Sequence, residues 1–254
     1  MHLPTDDAPP DSPTQRAADR RRWFRALNLS LAFVLVLVAT FTAQGSFDVG
    51  AWMVQPWSVP GLRGLLAAPL LHGSFEHLAA NAFSMLMLGT LAGAMYPRAT
   101  LRALPMVWLG SGLFAWLLGD VGSRHLGASG VTHGLMFLVF VLGLLRRDRP
   151  AIAAAMIAFL LYGGMLLTVL PREAGVSWQA HLGGAVGGVL GAFLFRRHDP
   201  SAPRKRYSWE LEEEADHGSD DELELPAPKA VPVLWQRPEE PQGKVLPFRP
   251  PRER

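Results

Sequence analysis

The chain contains no cysteine. That excludes disulfides, a thiolate nucleophile and any cysteine-ligated metal. Charge is scarce: only 18% of the 254 residues are charged, and most of these lie in residues 1–25 and 196–254. No internal repeat of useful strength is present, so the inverted-repeat signature of many transporters is missing. Both HExxH and HxxEH are absent as well. The run "HGSFEH" at residues 72–77 therefore lacks the helical histidine pair, with its glutamate, of a zinc protease.

What fills the uncharged middle is hydrocarbon. Apolar runs cover about 27–43, 77–95, 101–119, 126–145, 151–170 and 178–195. Each approaches the roughly 20 residues that cross about 30 Å of bilayer core. A soluble protein can bury one such run but not six in succession, so the expected class is an all-α polytopic membrane protein with six spans in a lipid bilayer. A polar leader of more than twenty residues precedes the first run and no small-residue cleavage site follows it, which argues against a removed signal peptide.

Orientation follows from the basic residues near the span ends. One side receives Arg16, Arg20, Arg21, Arg22, Arg25, Arg98, Arg102, Arg146, Arg147, Arg149, Arg196, Arg197, Arg204, Lys205 and Arg206. The other receives Arg63, Arg124 and Arg172. Fifteen against three puts both termini in the cytoplasm. Because the basic groups recur at every second loop, they do not read as a nucleic-acid patch.

The expected organisation is a cytoplasmic tail over residues 1–25, a membrane core over 26–196 and a cytoplasmic tail over 197–254. Residues 1–22 and the acidic, Pro-rich C-terminal segment offer little apolar surface and are expected to be disordered. The C-terminal tail has room for a cytoplasmic partner, though a solvated tether is the plainer reading. The connection over 44–76 is too apolar for an ordinary loop. It either lies in the outer leaflet, with Trp52 and Trp57 at the interface, or packs on the bundle.

Polar residues then gather at one depth. With both termini inside, the second, fourth and sixth spans start at the external face. They open with "LLHGSFEHLAANAF", "GASGVTHG" and "SWQAHLGGAVGG". His72, His77, Asn81, Ser129, His133 and His181 all fall within about two turns of those starts. Five of the eight histidines, His125 among them, lie on this side. His77 and Asn81 are spaced i, i+4, as are Ser129 and His133, so each pair shares a helix face. Small-xxx-small glycines after His181 allow close helix contact. If they meet the glycines of the fourth span, Ser129 and His181 come within hydrogen-bonding reach. A serine beside a histidine is an activated nucleophile. His77, Asn81 and the Ser129 amide are candidate donors to an oxyanion.

Taken together, "HGSFEHLAAN", "GASG" and "AHLGGAVGG" resemble the three signatures of the rhomboid family of intramembrane serine proteases, over roughly residues 60–195 and in the family's order. The resemblance implies a six-helix rhomboid-like bundle of the bacterial type in the cell (inner) membrane. It implies a serine endopeptidase that cleaves transmembrane substrates near the external face without cofactor or metal. By position, Ser129 is then the nucleophile and His181 the base. His77 and Asn81 are oxyanion residues, with the Ser129 amide. His72 is the first-loop histidine, Gly184 and Gly188 are close-packing glycines, and Gly127 and Gly130 flank the nucleophile. Two departures stand out. Leu62–Arg63 occupies the place of a common Trp–Arg pair, and His133 replaces a common Tyr or Phe. His133 is therefore either a second base or a ring that orients His181. A catalytically inactive rhomboid-like protein that binds membrane segments is the alternative, although such proteins generally lack a dyad residue.

Overall fold

A computed structural model of the chain describes residues 13–171 and 175–200. Arg172 and the C-terminal segment from Ser201 onward, with any partner docked there, lie outside the described residues.

Six longer helices carry the fold. The first, α1, spans Pro13–Ala43 and begins with proline at its first helical position, where the missing N–H costs nothing. It starts well inside the expected unstructured leader. The reason is composition: "TQRAADRRRWFRAL" is rich in strong helix formers, and Asp19 lies within reach of Gln15 and Arg22 one turn away on either side. Helix α2 spans Phe75–Met95, capped by the Ser74 hydroxyl, which accepts from the His77 amide. Helix α3 spans Pro97–Leu118 and follows directly. The Thr100 hydroxyl reaches back to the Ala92 carbonyl and closes that turn. Helices α4, Ser129–Arg146, and α5, Arg149–Tyr162, are joined by a short turn in which Asp148 caps α5. Helix α6 spans Trp178–Phe195.

Of these, α1, α2, α3 and α4 are long and apolar enough to cross a membrane by length and composition. The expected span over 151–170 is not one helix. It breaks at Gly163–Gly164, and a separate turn of helix, Met165–Thr168, follows. Fourteen residues of α5 reach only about 21 Å, short of the hydrocarbon thickness. Helix α6 is diluted by Gln179, His181 and five glycines, because it faces protein on most sides and does not need lipid-soluble side chains.

Helix α6 lies between α3 and α4, and its glycines divide between them. A Cβ at Gly187 would meet the Met106 carbonyl oxygen at 2.6 Å, and one at Gly191 would meet the Ala103 Cβ at 2.6 Å, both on α3. A Cβ at Gly184 would strike the Gly130 carbonyl, and one at Gly188 the Gly134 carbonyl, both on α4. Between apolar helices in lipid there is no solvent-driven association, so backbone contact and dispersion hold such a seam. Helix α4 is the most enclosed of the four long helices, with 61% of its span buried against 17% for α1. Leu135, Met136, Leu138, Val139 and Leu142 are wholly enclosed.

The connection after α1 packs on the bundle. The Trp116 indole donates to the Ser58 carbonyl at 2.9 Å, and the Trp108 indole donates to the Leu66 carbonyl at 3.2 Å. Val54 and His125 exchange backbone hydrogen bonds of 3.0 and 2.9 Å, tying this segment to the loop before α4.

At the far end of α4 and α6 the chain is clasped. Both carboxylate oxygens of Asp199 accept from the first amides of α3, Arg98 and Ala99, at 2.9 Å. Arg146 donates to the carbonyls of Asp199 and Pro200, and its guanidinium lies over the Tyr96 ring. Packing therefore continues past residue 196, the expected edge of the core.

Candidate active site

Ser129 is the first residue of α4, and the chain reaches it through Gly127, whose φ of +113° disfavours any side chain. The same glycine gives room to a neighbour. A Cβ there would meet the His77 ring at 2.6 Å. The first-turn N–H groups of α4, that of Ser129 included, have no intrahelical acceptor, and the positive end of the helix dipole is directed at this point.

Backbone contact between Gly130 and Gly184 sets the depth of α6 against α4. As a result the Ser129 Oγ and His181 Nε2 lie 2.8 Å apart. The other ring nitrogen of His181, Nδ1, is 3.0 Å from the Thr168 carbonyl oxygen. A carbonyl can only accept, so Nδ1 carries the proton and Nε2 is free to accept from the serine hydroxyl. His133 stacks on His181, with ring centroids 3.8 Å apart and planes 13° from parallel. Its Nδ1 donates to the Ser129 carbonyl at 2.7 Å, and its Nε2 pairs with the Thr168 hydroxyl at 2.7 Å.

His77 and Asn81 approach from α2. The Asn81 amide donates one hydrogen to the His77 carbonyl at 2.9 Å, which leaves its second N–H for another acceptor. His77, Asn81, Ser129, His133 and His181 line one cleft of about 1080 Å³, which is open to solvent. His72 lies beneath it, wholly buried, with its ring edge-on to His77 at 5.1 Å. Its backbone amide and carbonyl are held by the Gln44 side chain at 2.9 and 2.8 Å. Neither His72 ring nitrogen has a hydrogen-bond partner. Burial, reinforced by a repulsive His77, pushes the His72 pKa down from 6.5 to about 4, and the nearby Leu70 carbonyl offsets this only in part. Among the described residues, no three His, Asp or Glu side chains are grouped to hold a metal ion.

Two features of the site were not singled out in the sequence. Thr168 sat inside an apolar run, and only the Gly163–Gly164 pair marked a break nearby. His125 stands in a loop, where no helical spacing links it to a partner. Its Nδ1 lies 2.6 Å from the Ser177 hydroxyl just before α6, and its Nε2 lies 2.9 Å from Ser123. Because Ser123 donates to the Asp120 carbonyl at 2.6 Å, it accepts from His125 Nε2–H, and Ser177 donates to Nδ1. Burial lowers the His125 pKa, against a smaller opposing pull from Asp120.

The rhomboid domain family model matches residues 60–198, more than half of the chain. The chain belongs to the rhomboid family. Related proteins occur in mycobacteria. The protein Rv1337 of Mycobacterium tuberculosis is 35% identical over 207 residues, covering 78% of this chain and 84% of the relative. The protein ML1171 of Mycobacterium leprae is 39% identical over 186 residues, 70% of each chain. Their names assign no activity. YdcA of Bacillus subtilis, named as a rhomboid protease, is 29% identical over 139 residues, 51% of this chain and 65% of the relative. Family membership and the apolar helices together make this a polytopic helical membrane bundle.

Proposed function

We propose that this rhomboid is an intramembrane serine endopeptidase that cuts peptide bonds in or next to transmembrane segments. The observation that carries the reading is the 2.8 Å contact between Ser129 Oγ and His181 Nε2 at a cleft in an otherwise apolar bundle. In the proposed reaction the Ser129 hydroxyl attacks the scissile carbonyl while its proton passes to His181 Nε2. The oxyanion that forms accepts hydrogen bonds from the Ser129 amide, the Asn81 side chain and the His77 ring. His181 then returns the proton to the leaving amine, and an acyl–Ser129 ester remains. Water, deprotonated by His181, then attacks that ester; the bond to Ser129 Oγ breaks, the new carboxyl end leaves, and His181 returns the proton to Oγ.

The basic residues on alternate loops support an orientation with both termini cytoplasmic and Ser129 at the external face. The clasp at Arg98, Arg146 and Asp199 lies at the opposite helix ends, which suits a cytoplasmic anchor. In this reading the core expected over 26–196, extended by the Asp199–Pro200 clasp, is the catalytic unit, and the segments before and after it are its cytoplasmic tails.

Fluorophosphonate labelling separates a protease from an inactive membrane-segment binder. The proposal expects a stoichiometric adduct on Ser129, with no protection by chelators. A folded protein that takes no label while still binding a transmembrane peptide would instead support the binding protein.

A further inference from the structure

We propose that Thr168 is a positioning residue that fixes the protons of both stacked histidines, so that His181 alone is left to accept from Ser129. The proposal rests on the Ser129–His181 reading above. Its starting point is that one residue touches both rings by different atoms. The Thr168 carbonyl takes the His181 Nδ1 proton, and the Thr168 hydroxyl meets His133 Nε2.

Proton counting does the rest. His133 Nδ1 faces the Ser129 carbonyl, so it must carry a hydrogen. Thr168 has one hydroxyl proton and two candidate acceptors. They are His133 Nε2 at 2.7 Å and the Met165 carbonyl at 3.1 Å. Donation to the nearer one gives a neutral His133 with both nitrogens satisfied. Donation to Met165 would require a proton on each His133 nitrogen. That cation would then lie 3.8 Å from a ring that must itself become cationic during catalysis. The neutral arrangement is therefore the working one. It leaves His133 with no free lone pair, which removes it as a competing base and makes it the plate against which His181 is held. In the serine triads a buried carboxylate orients the histidine. Here a main-chain carbonyl and a threonine hydroxyl divide that task between two rings.

The test is a double-mutant cycle on the full-length chain in proteoliposomes, with a fluorogenic transmembrane peptide as substrate. Thr168→Val should lower kcat by about tenfold with KM nearly unchanged, because it loosens the base without touching substrate. Thr168→Ser should stay within about twofold of wild type, and Thr168→Val should add less than about twofold once His133→Phe has removed the partner. Wild-type kcat in Thr168→Val, a KM effect alone, or fully additive losses would each overturn the proposal. Where Thr168→Val does not reconstitute, Thr168→Ala replaces it in the cycle. Spectra of isotope-labelled histidine provide a second reading, with both rings expected as Nδ1–H tautomers. An Nε2–H tautomer on either ring contradicts the assignment. Ser129→Ala serves as the control. Activity there sinks the dyad itself, whereas an inert Ser129→Ala beside a wild-type-like Thr168→Val sinks only the role given to Thr168.

Discussion

At one end of the α4–α6 pair, Ser129, His133 and His181 stand beside an open cleft. At the other, Arg146, Asp199 and the first amides of α3 close on one another. Both ends place polar groups in an apolar bundle, yet they use their hydrogen-bonding capacity in opposite ways. Asp199 is 5% exposed and spends both oxygens on backbone amides. Arg146 pairs with Asp148 and two carbonyls. Among the described residues these charged groups are directed at the protein itself, although the buried Tyr96 hydroxyl beside Arg146 has no hydrogen-bond partner. At the cleft the second Asn81 N–H and the first amides of α4 remain available. The lesson is that the closed end and the glycine seam hold the helices at a fixed depth. The open end can then keep unspent donors beside Ser129, as the proposed oxyanion site requires.

This contrast breaks most severely at the seam. Gly184→Val drives a side chain into the Gly130 carbonyl and should cost about 1–3 kcal/mol of stability. Because it also separates Ser129 from His181, activity should fall by more than about 10²-fold. A wild-type melting temperature and rate would show that the seam does not set the site. Next comes Asn81→Ala, confined to the open end. Turnover should fall by about 10²-fold with little change in KM, since the lost bond strengthens in the transition state. A rise in KM at unchanged kcat would make Asn81 a substrate contact.

The closed end should behave in the opposite sense. Asp199→Ala removes the acceptor for two helix-start amides and should lower stability by about 0.5–2 kcal/mol. Well below the melting temperature its kcat should match wild type within about twofold, because Asp199 touches nothing that reacts. A large kcat loss in folded protein would erase the distinction between the two ends.

Legibility in the sequence followed the same division. Helices and their polar openings carry a local period, so the His77–Asn81 and Ser129–His133 pairs and the glycines after His181 could be read directly. The partners that complete the arrangement carry none. Thr168 is separated from His133 by 35 residues and Asp199 from Arg98 by 101, so no spacing rule connects them. Thr168 looked like the end of an apolar span, and Asp199 like part of a solvated basic anchor. The charged start of α1 is helical against expectation for a related reason. Low hydropathy suggested disorder, whereas helix propensity and one-turn spacing at Asp19 favoured a helix.

A last expected effect concerns acid. The folded state holds His72 neutral, with a pKa lowered from 6.5 to about 4. Its contribution to stability is therefore fully present above 6.5 and is lost as pH falls through about 4. The melting temperature should drop between about pH 7 and about pH 4, and His72→Phe should flatten that drop. An unchanged drop in the variant would assign the acid sensitivity elsewhere.

The central claim is that Ser129 and His181 act together as one catalytic unit at the open end. It is tested most directly by cleavage of a transmembrane substrate by wild-type protein, Ser129→Ala and His181→Ala, each reconstituted and shown to be folded. The account predicts cleavage by wild type and losses of about 10⁴-fold or more in both variants, equal in size because the pair works as a unit. Cleavage near the wild-type rate in either folded variant would contradict it.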